Sequence, residues 1–82
     1  MAKHEVQTPV PGVFYRRPSP DEDEFFQEGD DVESGATIGL VEIMKNFEAV
    51  ETEVAGKLVE FLVANEDEVS AGQAIAVVDD GG

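Results

Sequence analysis

The chain has 82 residues and no cysteine, so it has room for one domain and cannot build a disulfide framework or a thiolate metal site. Nineteen acidic against five basic residues give a formal net charge of −14, which repels nucleic-acid phosphates and anionic membranes. We therefore expect no nucleic acid and no membrane as a partner, and protein partners that present basic surfaces.

The first residues, Met1 to Glu5, lack the apolar stretch of a secretion signal, and no apolar run in the chain is long enough for a membrane helix. The sequence therefore predicts a cytoplasmic location. It also predicts a single domain over residues 1–82, with a short tail at each end.

An internal repeat indicates the architecture. Near the start of each half, four residues recur 44 positions later, as the pairs Val6/Val50, Thr8/Thr52, Val10/Val54 and Gly12/Gly56. Further along, six residues correspond at an offset of 37, as the pairs Val32/Val69, Gly35/Gly72, Ile38/Ile75, Leu40/Val77, Val41/Val78 and Glu42/Asp79. Because the two offsets differ by seven, the first half carries seven residues that the second half lacks.

The repeated segments are short runs rich in Val, Ile, Phe and Thr, separated by turn signals such as Pro11-Gly12 and Ala71-Gly72. Gly35 and Gly72 precede equivalent strands, where a positive φ would strain any other residue. In the run 57–63, alternation places Val59, Phe61 and Val63 on one face. We predict an all-β fold in which two pseudo-twofold-related halves of about four strands form a flattened barrel or sandwich.

The seven additional residues fall within Arg16 to Glu24, which replace only Glu60 and Phe61 of the second half. This segment is rich in Pro, Ser and acidic residues and nearly free of apolar side chains. We expect it to project as a loop, which we call the thumb. Phe14 is expected in the core, whereas Arg16 and Arg17 could pair with the acidic thumb or bind a partner.

Between the two halves, an apolar run passes into another strand, with Met44-Lys45 at the expected reversal. This reversal predicts the tip of a hairpin. Asn, Asp and Gly suit tight hairpins best on conformational grounds, so Met-Lys is an unusual choice. We therefore expect that a requirement other than folding selected Met-Lys at this turn.

Glu42-Ile43-Met44-Lys45 resembles the Glu-Ala-Met-Lys-Met attachment sequence of biotinyl domains, with Ile43 in place of alanine and Asn46 in place of the second methionine. Residues 10–20 resemble the thumb-bearing segment of biotin carboxyl carrier proteins of acetyl-CoA carboxylase. The resemblance covers nearly the whole chain, and its thumb coincides with the insertion that the repeat requires. It implies the biotinyl/lipoyl "hammerhead" fold, with the acceptor lysine on the hairpin tip.

The resemblance implies that biotin is attached covalently to Lys45 by a biotin protein ligase. The domain would then carry carboxybiotin between a biotin carboxylase subunit and a carboxyltransferase subunit, as a non-catalytic component of acetyl-CoA carboxylase in fatty acid biosynthesis. Met44 is expected to present an apolar contact to the ligase. Val13, where thumb-bearing relatives often have threonine, is expected to contact biotin through apolar atoms.

Two alternatives remain open from the residues. A lipoyl carrier has a similar fold and modifies a hairpin lysine, but typically shows Asp-Lys-Ala, which Met44 and the thumb oppose. An unmodified β-rich interaction domain would use Lys45 only as a turn residue. It leaves unexplained why the attachment-like sequence falls at the junction of the two repeats.

Overall fold

The computed structural model describes residues 2–19 and 21–81, and within them the chain forms eight strands and no helix. The strands are β1 (Lys3–Gln7), β2 (Gly12–Tyr15), β3 (Asp31–Val32), β4 (Thr37–Ile43), β5 (Asn46–Glu51), β6 (Gly56–Phe61), β7 (Glu68–Val69) and β8 (Ala74–Asp79). Four strands fall in each half, as the repeat predicts. In the described part of the chain, no helix has the length and apolarity needed to cross a membrane.

The strands form two antiparallel four-stranded sheets, with the orders β1-β8-β6-β3 and β5-β4-β2-β7. Exchanging each strand with its repeat partner (β1 with β5, β2 with β6, β3 with β7, β4 with β8) converts one order into the other. The predicted pseudo-twofold relation is therefore confirmed, and each sheet contains strands from both halves. The molecule is flattened, with extents of 39 × 27 × 19 Å, and its sheets stay open, so it is a sandwich and not a closed barrel.

The core lies between the sheets and is built largely from residues related by the repeat, which we call twins. Burying them stabilises the fold because each removes apolar surface from water. The buried twin pairs are Val6/Val50, Phe14/Leu58, Val32/Val69, Ile38/Ile75 and Val41/Val78. The prediction that Phe14 packs in the core is confirmed.

Thr8 and Thr52 are the buried polar residues of the described chain, and they are twins. Each hydroxyl donates a hydrogen bond to the carbonyl two residues later, Val10 O at 2.7 Å and Val54 O at 2.8 Å. Each also accepts the N–H of that same residue. A buried hydroxyl without such bonds would be destabilising, so the threonines are part of the repeated turn.

Inside the core, two pairs of twins differ in side-chain size, and the two differences have opposite signs. Phe14 is larger than its twin Leu58, and Gly39, against which the Phe14 ring lies, is smaller than its twin Ala76. A Cβ at Gly39 would lie 2.5 Å from Cε1 of Phe14 and 2.7 Å from the Tyr15 carbonyl oxygen. Gly39 therefore leaves the space that the phenylalanine ring occupies.

A second break is a β-bulge at Val59. Leu58 pairs with Val78 and Glu60 with Val77, so Val59 is the extra residue of β6, whereas β2 runs regularly to the pairing of Tyr15 with Leu40. Phe61 and Val63 pack against the core as predicted, but the prediction that Val59 shares their face is wrong. The bulge shifts the alternation by one residue. Because Leu40 and Val77 are twins, it also makes Glu60 the structural twin of Tyr15.

Gly35 and Gly72 have φ angles of +88° and +82°. The predicted positive φ is confirmed at both positions. In each case the glycine N–H donates a hydrogen bond of 2.7 Å to the carbonyl of a buried threonine, Thr52 or Thr8. The left-handed turn thus leads into β4 and β8, one of the two inner strands of each sheet, without the steric cost that a Cβ would add.

Candidate functional site

Met44 and Lys45 alone connect β4 to β5, and the flanking residues Ile43 and Asn46 pair with each other. The φ angles of Met44 and Lys45 are +48° and +72°. Positive φ at both central residues is the signature of the type I′ hairpin turn, whose twist matches that of the two strands. The predicted hairpin tip is therefore confirmed at the predicted residues.

The turn is strained by its own side chains. A left-handed conformation costs a residue with a Cβ about 1–2 kcal/mol, a cost that an Asn-Gly turn largely avoids. Among the described residues, the only other non-glycine residue with positive φ is Glu66. Strained backbone of this kind is concentrated at functional sites, where the side chain is required for another reason.

Both turn side chains face solvent. Met44 is 89% exposed, so it does not pack into the base of the hairpin, and Lys45 is also exposed. Within the described chain, no acidic side chain lies within 4 Å of the Lys45 amine. The hairpin therefore presents a primary amine and a thioether to any molecule that approaches its tip.

The hairpin is tied to the thumb-bearing strand by Tyr15. Its hydroxyl donates a 3.0 Å hydrogen bond to Oε1 of Glu42, and its ring lies 6.1 Å from the ring of Phe47, centroid to centroid. The hydrogen bond to the Glu42 carboxylate raises the pKa of Tyr15, with smaller contributions from burial and from the charges of Glu42 and Glu66. The phenol therefore remains a donor near neutral pH and holds Glu42 beside the hairpin.

The thumb is anchored at its base, although Pro20 lies outside the described residues. Phe25 N–H donates to the Arg16 carbonyl at 2.9 Å, which closes the loop. The Glu24 carboxylate lies 3.4 Å from Nε of Arg16 and 3.7 Å from Nη2 of Arg17. The Arg16 guanidinium also stacks 3.9 Å above the centre of the Phe61 ring. Of the two roles left open for these arginines, the structure shows pairing with the acidic thumb.

A cavity of about 260 Å³ lies between the thumb and the hairpin sheet. Its walls include Tyr15, Phe47, Pro18, Arg17 and Asn65. The aromatic rings and the proline make it largely apolar, and the guanidinium and amide supply hydrogen-bond donors.

The candidate residues do not all meet at this cavity. Val13 lies on β2 directly opposite Glu42, is half-buried, and is not among the residues that line the cavity. Tyr15 and Phe47 line it but are absent from the sequence-predicted site. Phe47 could have been found from the hairpin register, because a turn at 44–45 places it opposite Glu42.

Comparison with known proteins gives one family. The family model described as biotin-requiring enzyme, a biotin/lipoyl domain, matches residues 4–78. The chain is 39% identical over 74 residues to the biotin carboxyl carrier protein of acetyl-CoA carboxylase of Pyropia yezoensis, covering 90% of this chain and 47% of that protein. It is 39% identical over 70 residues to the protein of the same description from Streptococcus pyogenes, covering 85% of this chain and 42% of the relative.

Among solved structures, the chain is similar to the urea carboxylase of Kluyveromyces lactis, with a TM-score of 0.78 and 28% identity over 96% of this chain and 6% of that protein. The chain thus spans about half or less of each of these relatives. The family match covers most of its length and includes both halves of the repeat, the thumb and the hairpin. The chain belongs to the biotin/lipoyl domain family of biotin-requiring enzymes.

Proposed function

We propose that this chain is a biotin carboxyl carrier domain and that Lys45 is the residue to which biotin is covalently attached. The observation that carries the proposal is the hairpin tip, where two residues with Cβ atoms occupy a left-handed turn and present an exposed amine. A folding requirement alone favours Asn-Gly at these positions. The need for a lysine amine on a rigid projection explains why the strain is retained.

At Lys45 the amine attacks the carboxyl carbon of biotin that ATP has activated as its adenylate. The C–N amide bond forms as the C–O bond to AMP breaks, and the lysine ammonium loses two protons in becoming the amide N–H. Modification removes the lysine charge, so the formal net charge changes from −14 to −15. Since no described acidic side chain contacts this amine, activation comes from the modifying enzyme and its activated substrate. When attached, biotin supplies a ureido ring that accepts a carboxyl group at one active site and releases it at another.

The neighbouring residues would hold and present the attachment point. Tyr15 fixes Glu42 on the strand that leads into the turn, and Met44 offers an apolar contact beside the amine. The cavity between thumb and hairpin has apolar walls and donors that fit a small polar ring, and Phe47 on its wall is two residues from Lys45. The contact of Val13 with biotin stays a prediction.

The named relatives support a role in acetyl-CoA carboxylase. In that role the domain carries carboxyl groups between a biotin carboxylase subunit and a carboxyltransferase subunit, after a biotin protein ligase has modified it in the cytoplasm. The thumb supports the same assignment, because the resemblance of residues 10–20 is to carriers of this enzyme. The acidic surface suits partners with basic surfaces around their active sites.

The test is intact mass spectrometry of the purified chain after incubation with biotin, ATP and a biotin protein ligase. We expect one biotin amide per chain and none in Lys45→Arg. The matched control is Lys57→Arg, which changes an exposed lysine on β6 and should leave modification complete. Biotin incorporation that survives Lys45→Arg would refute the assignment. A parallel reaction with lipoate and a lipoate ligase distinguishes the lipoyl carrier, and no modification in either reaction would favour an unmodified interaction domain.

A further inference from the structure

The turn between β6 and β7 has a twin in the turn that precedes β3, and the two differ at one strained position. Glu66 in the first turn and Gly29 in the second are twins, with φ angles of +72° and +98°. The Glu66 N–H donates to the Phe14 carbonyl at 2.6 Å, and the Gly29 N–H donates to the Leu58 carbonyl at 2.7 Å. The backbone of the two turns is therefore equivalent, and the side chain at this position is what separates them.

Glycine suits this left-handed position, whereas a glutamate there is strained. A Cβ built at Gly29 would meet no other atom within 4 Å, so the glycine serves the backbone conformation and not close packing. Because the twin turn forms the same bond with glycine, the fold does not require Glu66. Strain that is kept where an unstrained residue would do indicates a further use for the side chain.

Glu66 lies beside the cavity between the thumb and the hairpin sheet, which we call the thumb cavity. It lines this cavity together with Arg17 and Asn65, and it is exposed. The hydrogen bond to Glu42 is the main cause of the raised pKa of Tyr15, and the nearby charge of Glu66 adds to it. Within the described chain, no basic side chain lies within 4 Å of the Glu66 carboxylate. The cavity is therefore bordered by a negative charge without a close partner.

The other polar groups of the cavity are hydrogen-bond donors. Oδ1 of Asn65 accepts the Arg16 N–H at 2.9 Å, which leaves the Asn65 NH₂ group as a donor. Nε of Arg17 is buried and has no hydrogen-bond partner among the described residues. Donors beside the rings of Tyr15 and Phe47 suit a small ring with a carbonyl acceptor. That the cavity accepts such a ring belongs to the proposed function, and the charge that the ring meets there is a separate matter.

The ureido ring of biotin is neutral before carboxylation and negatively charged afterwards. One ring N–H bond breaks, an N–C bond to carbon dioxide forms and the proton is released, so the neutral ring becomes an anion. We propose that Glu66 is a specificity-determining residue that lets the thumb cavity hold the neutral ring and repels the carboxylated ring. This proposal rests on the proposed function. The arm, which is biotin joined to the Lys45 side chain, is then held before carboxylation and free to move to the next active site afterwards.

The test measures binding of small probes to the unmodified chain through the amide NMR resonances of Phe47 and Asn65. Ethyleneurea is the bare ureido ring, imidazolidinone carboxylate adds one carboxylate to that ring, and the methyl ester of the second probe has its bulk without its charge. We expect ethyleneurea and the ester to bind with similar Kd values. The carboxylate should bind severalfold more weakly than the ester, because the two differ in charge and hardly in size.

Two variants separate the charge of Glu66 from the net charge of the chain. Glu66→Gln removes the carboxylate and keeps the size of the side chain, whereas the matched control Glu68→Gln removes the same charge from a residue on β7 that does not line the cavity. At low salt, we expect Glu66→Gln to reduce the preference for the ester over the carboxylate by about threefold or more, and Glu68→Gln to change it by less than about twofold. Salt at about 1 M should largely remove the preference of the wild type, since it screens exposed charges.

A preference that is unchanged in Glu66→Gln, or a wild-type chain that binds the carboxylate more tightly than the ester, would overturn the role of Glu66. If none of the probes shifts the cavity resonances, the cavity does not hold the ring and this inference fails, while biotin attachment at Lys45 stands on its mass measurement. The biotin-modified chain supplies a further readout, because a held ring should shift the same resonances without added probe. A wild-type chain that the ligase does not modify would overturn the proposed function and this inference with it.

Discussion

The two ends of the sandwich are related by the pseudo-twofold but are closed in different ways. At one end, Ile43 pairs with Asn46 and the strained turn Met44-Lys45 joins the strands. At the other end, the equivalent positions are Asp80 and Ala2, where the Asp80 N–H donates to the Ala2 carbonyl at 3.0 Å and the two chain ends meet. The same ladder thus forms with or without the turn, so stability of the sheet does not require Met-Lys there. The comparison indicates that a requirement other than sheet stability retains Met-Lys at this turn, which supports the proposed attachment site.

The largest expected change in stability comes from the core, where the two halves differ in residue size. Gly39→Ala places a Cβ against the Phe14 ring and the Tyr15 carbonyl, so we expect the free energy of unfolding to fall by about 1–3 kcal/mol, measured by urea titration. The double variant Phe14→Leu/Gly39→Ala copies the twin pair Leu58 and Ala76. It should recover part of this loss, because it relieves the contact with the ring but not the contact with the carbonyl. No recovery would show that the size exchange is not what separates the two halves.

The turn is expected to give a smaller change of opposite sign. Met44→Asn/Lys45→Gly supplies the residues that a left-handed two-residue turn favours and should raise the free energy of unfolding by about 1–2 kcal/mol. The thermal midpoint would rise accordingly, and biotin incorporation would be lost with Lys45. Glu66→Gly relieves one strained residue outside the hairpin and is the matched control, with a smaller expected gain. An unchanged midpoint in the turn variant would contradict strain at the hairpin tip.

The thumb should contribute less to stability than either of these features. Replacing residues Arg16 to Glu24 by a single phenylalanine gives the first half the short connection of the second, because Glu60 is the structural twin of Tyr15 and Phe61 alone separates it from Leu62. The two ion pairs of the thumb are half-buried but long, at 3.4 and 3.7 Å, and share the Glu24 carboxylate, and the Arg16 stack on Phe61 is one cation–π contact; we therefore expect cooperative unfolding within about 1 kcal/mol of the wild type. Carboxyl transfer by the assembled carboxylase should weaken in the same variant. A globally unfolded product, detected by far-UV circular dichroism, would show that the thumb is not an insertion into a complete sandwich.

The smallest expected effect is a shift in one titration. Tyr15 is the only tyrosine and the chain has no tryptophan, so ultraviolet absorbance at alkaline pH reports its pKa directly. We expect a value above the usual value of about 10, and a return toward it in Glu42→Gln, which removes the carboxylate charge. Because the pKa is raised in the folded state, the stabilisation from this hydrogen bond is present below pH about 10 and is lost as pH rises through the raised pKa. An identical pKa in both proteins would exclude Glu42 as the cause.

Much of the fold could be predicted because twin residues report on equivalent environments. The offsets of 44 and 37 predicted four strands in each half, the twofold relation and the place of the thumb, and each follows from side-chain type and spacing. The hairpin tip was also predicted, since an apolar run must reverse where the second repeat begins. The bulge at Val59 could not be predicted, because the additional residue of β6 is apolar and lies among other apolar residues. The sequence pattern therefore does not show which of them is unpaired. It becomes visible only when Glu60 is paired with Val77.

The residues around Lys45 can likewise be separated into those that the sequence predicts and those that only the structure identifies. The sequence by itself determined the acceptor candidate, its exposed neighbour Met44 and the insertion that forms the thumb, because these depend on local residue types and on their order along the chain. Only the tertiary structure decided that Tyr15 bonds Glu42, that Phe47 and Arg17 border the thumb cavity, and that Val13 lies away from it. It also showed that Val13, Tyr15 and Phe47 lie on the outward face of one sheet at positions where the other sheet has the charged residues Lys57, Glu60 and Lys3. Such arrangements depend on which strands pair and in which register, and residues distant in the sequence become neighbours only through that pairing.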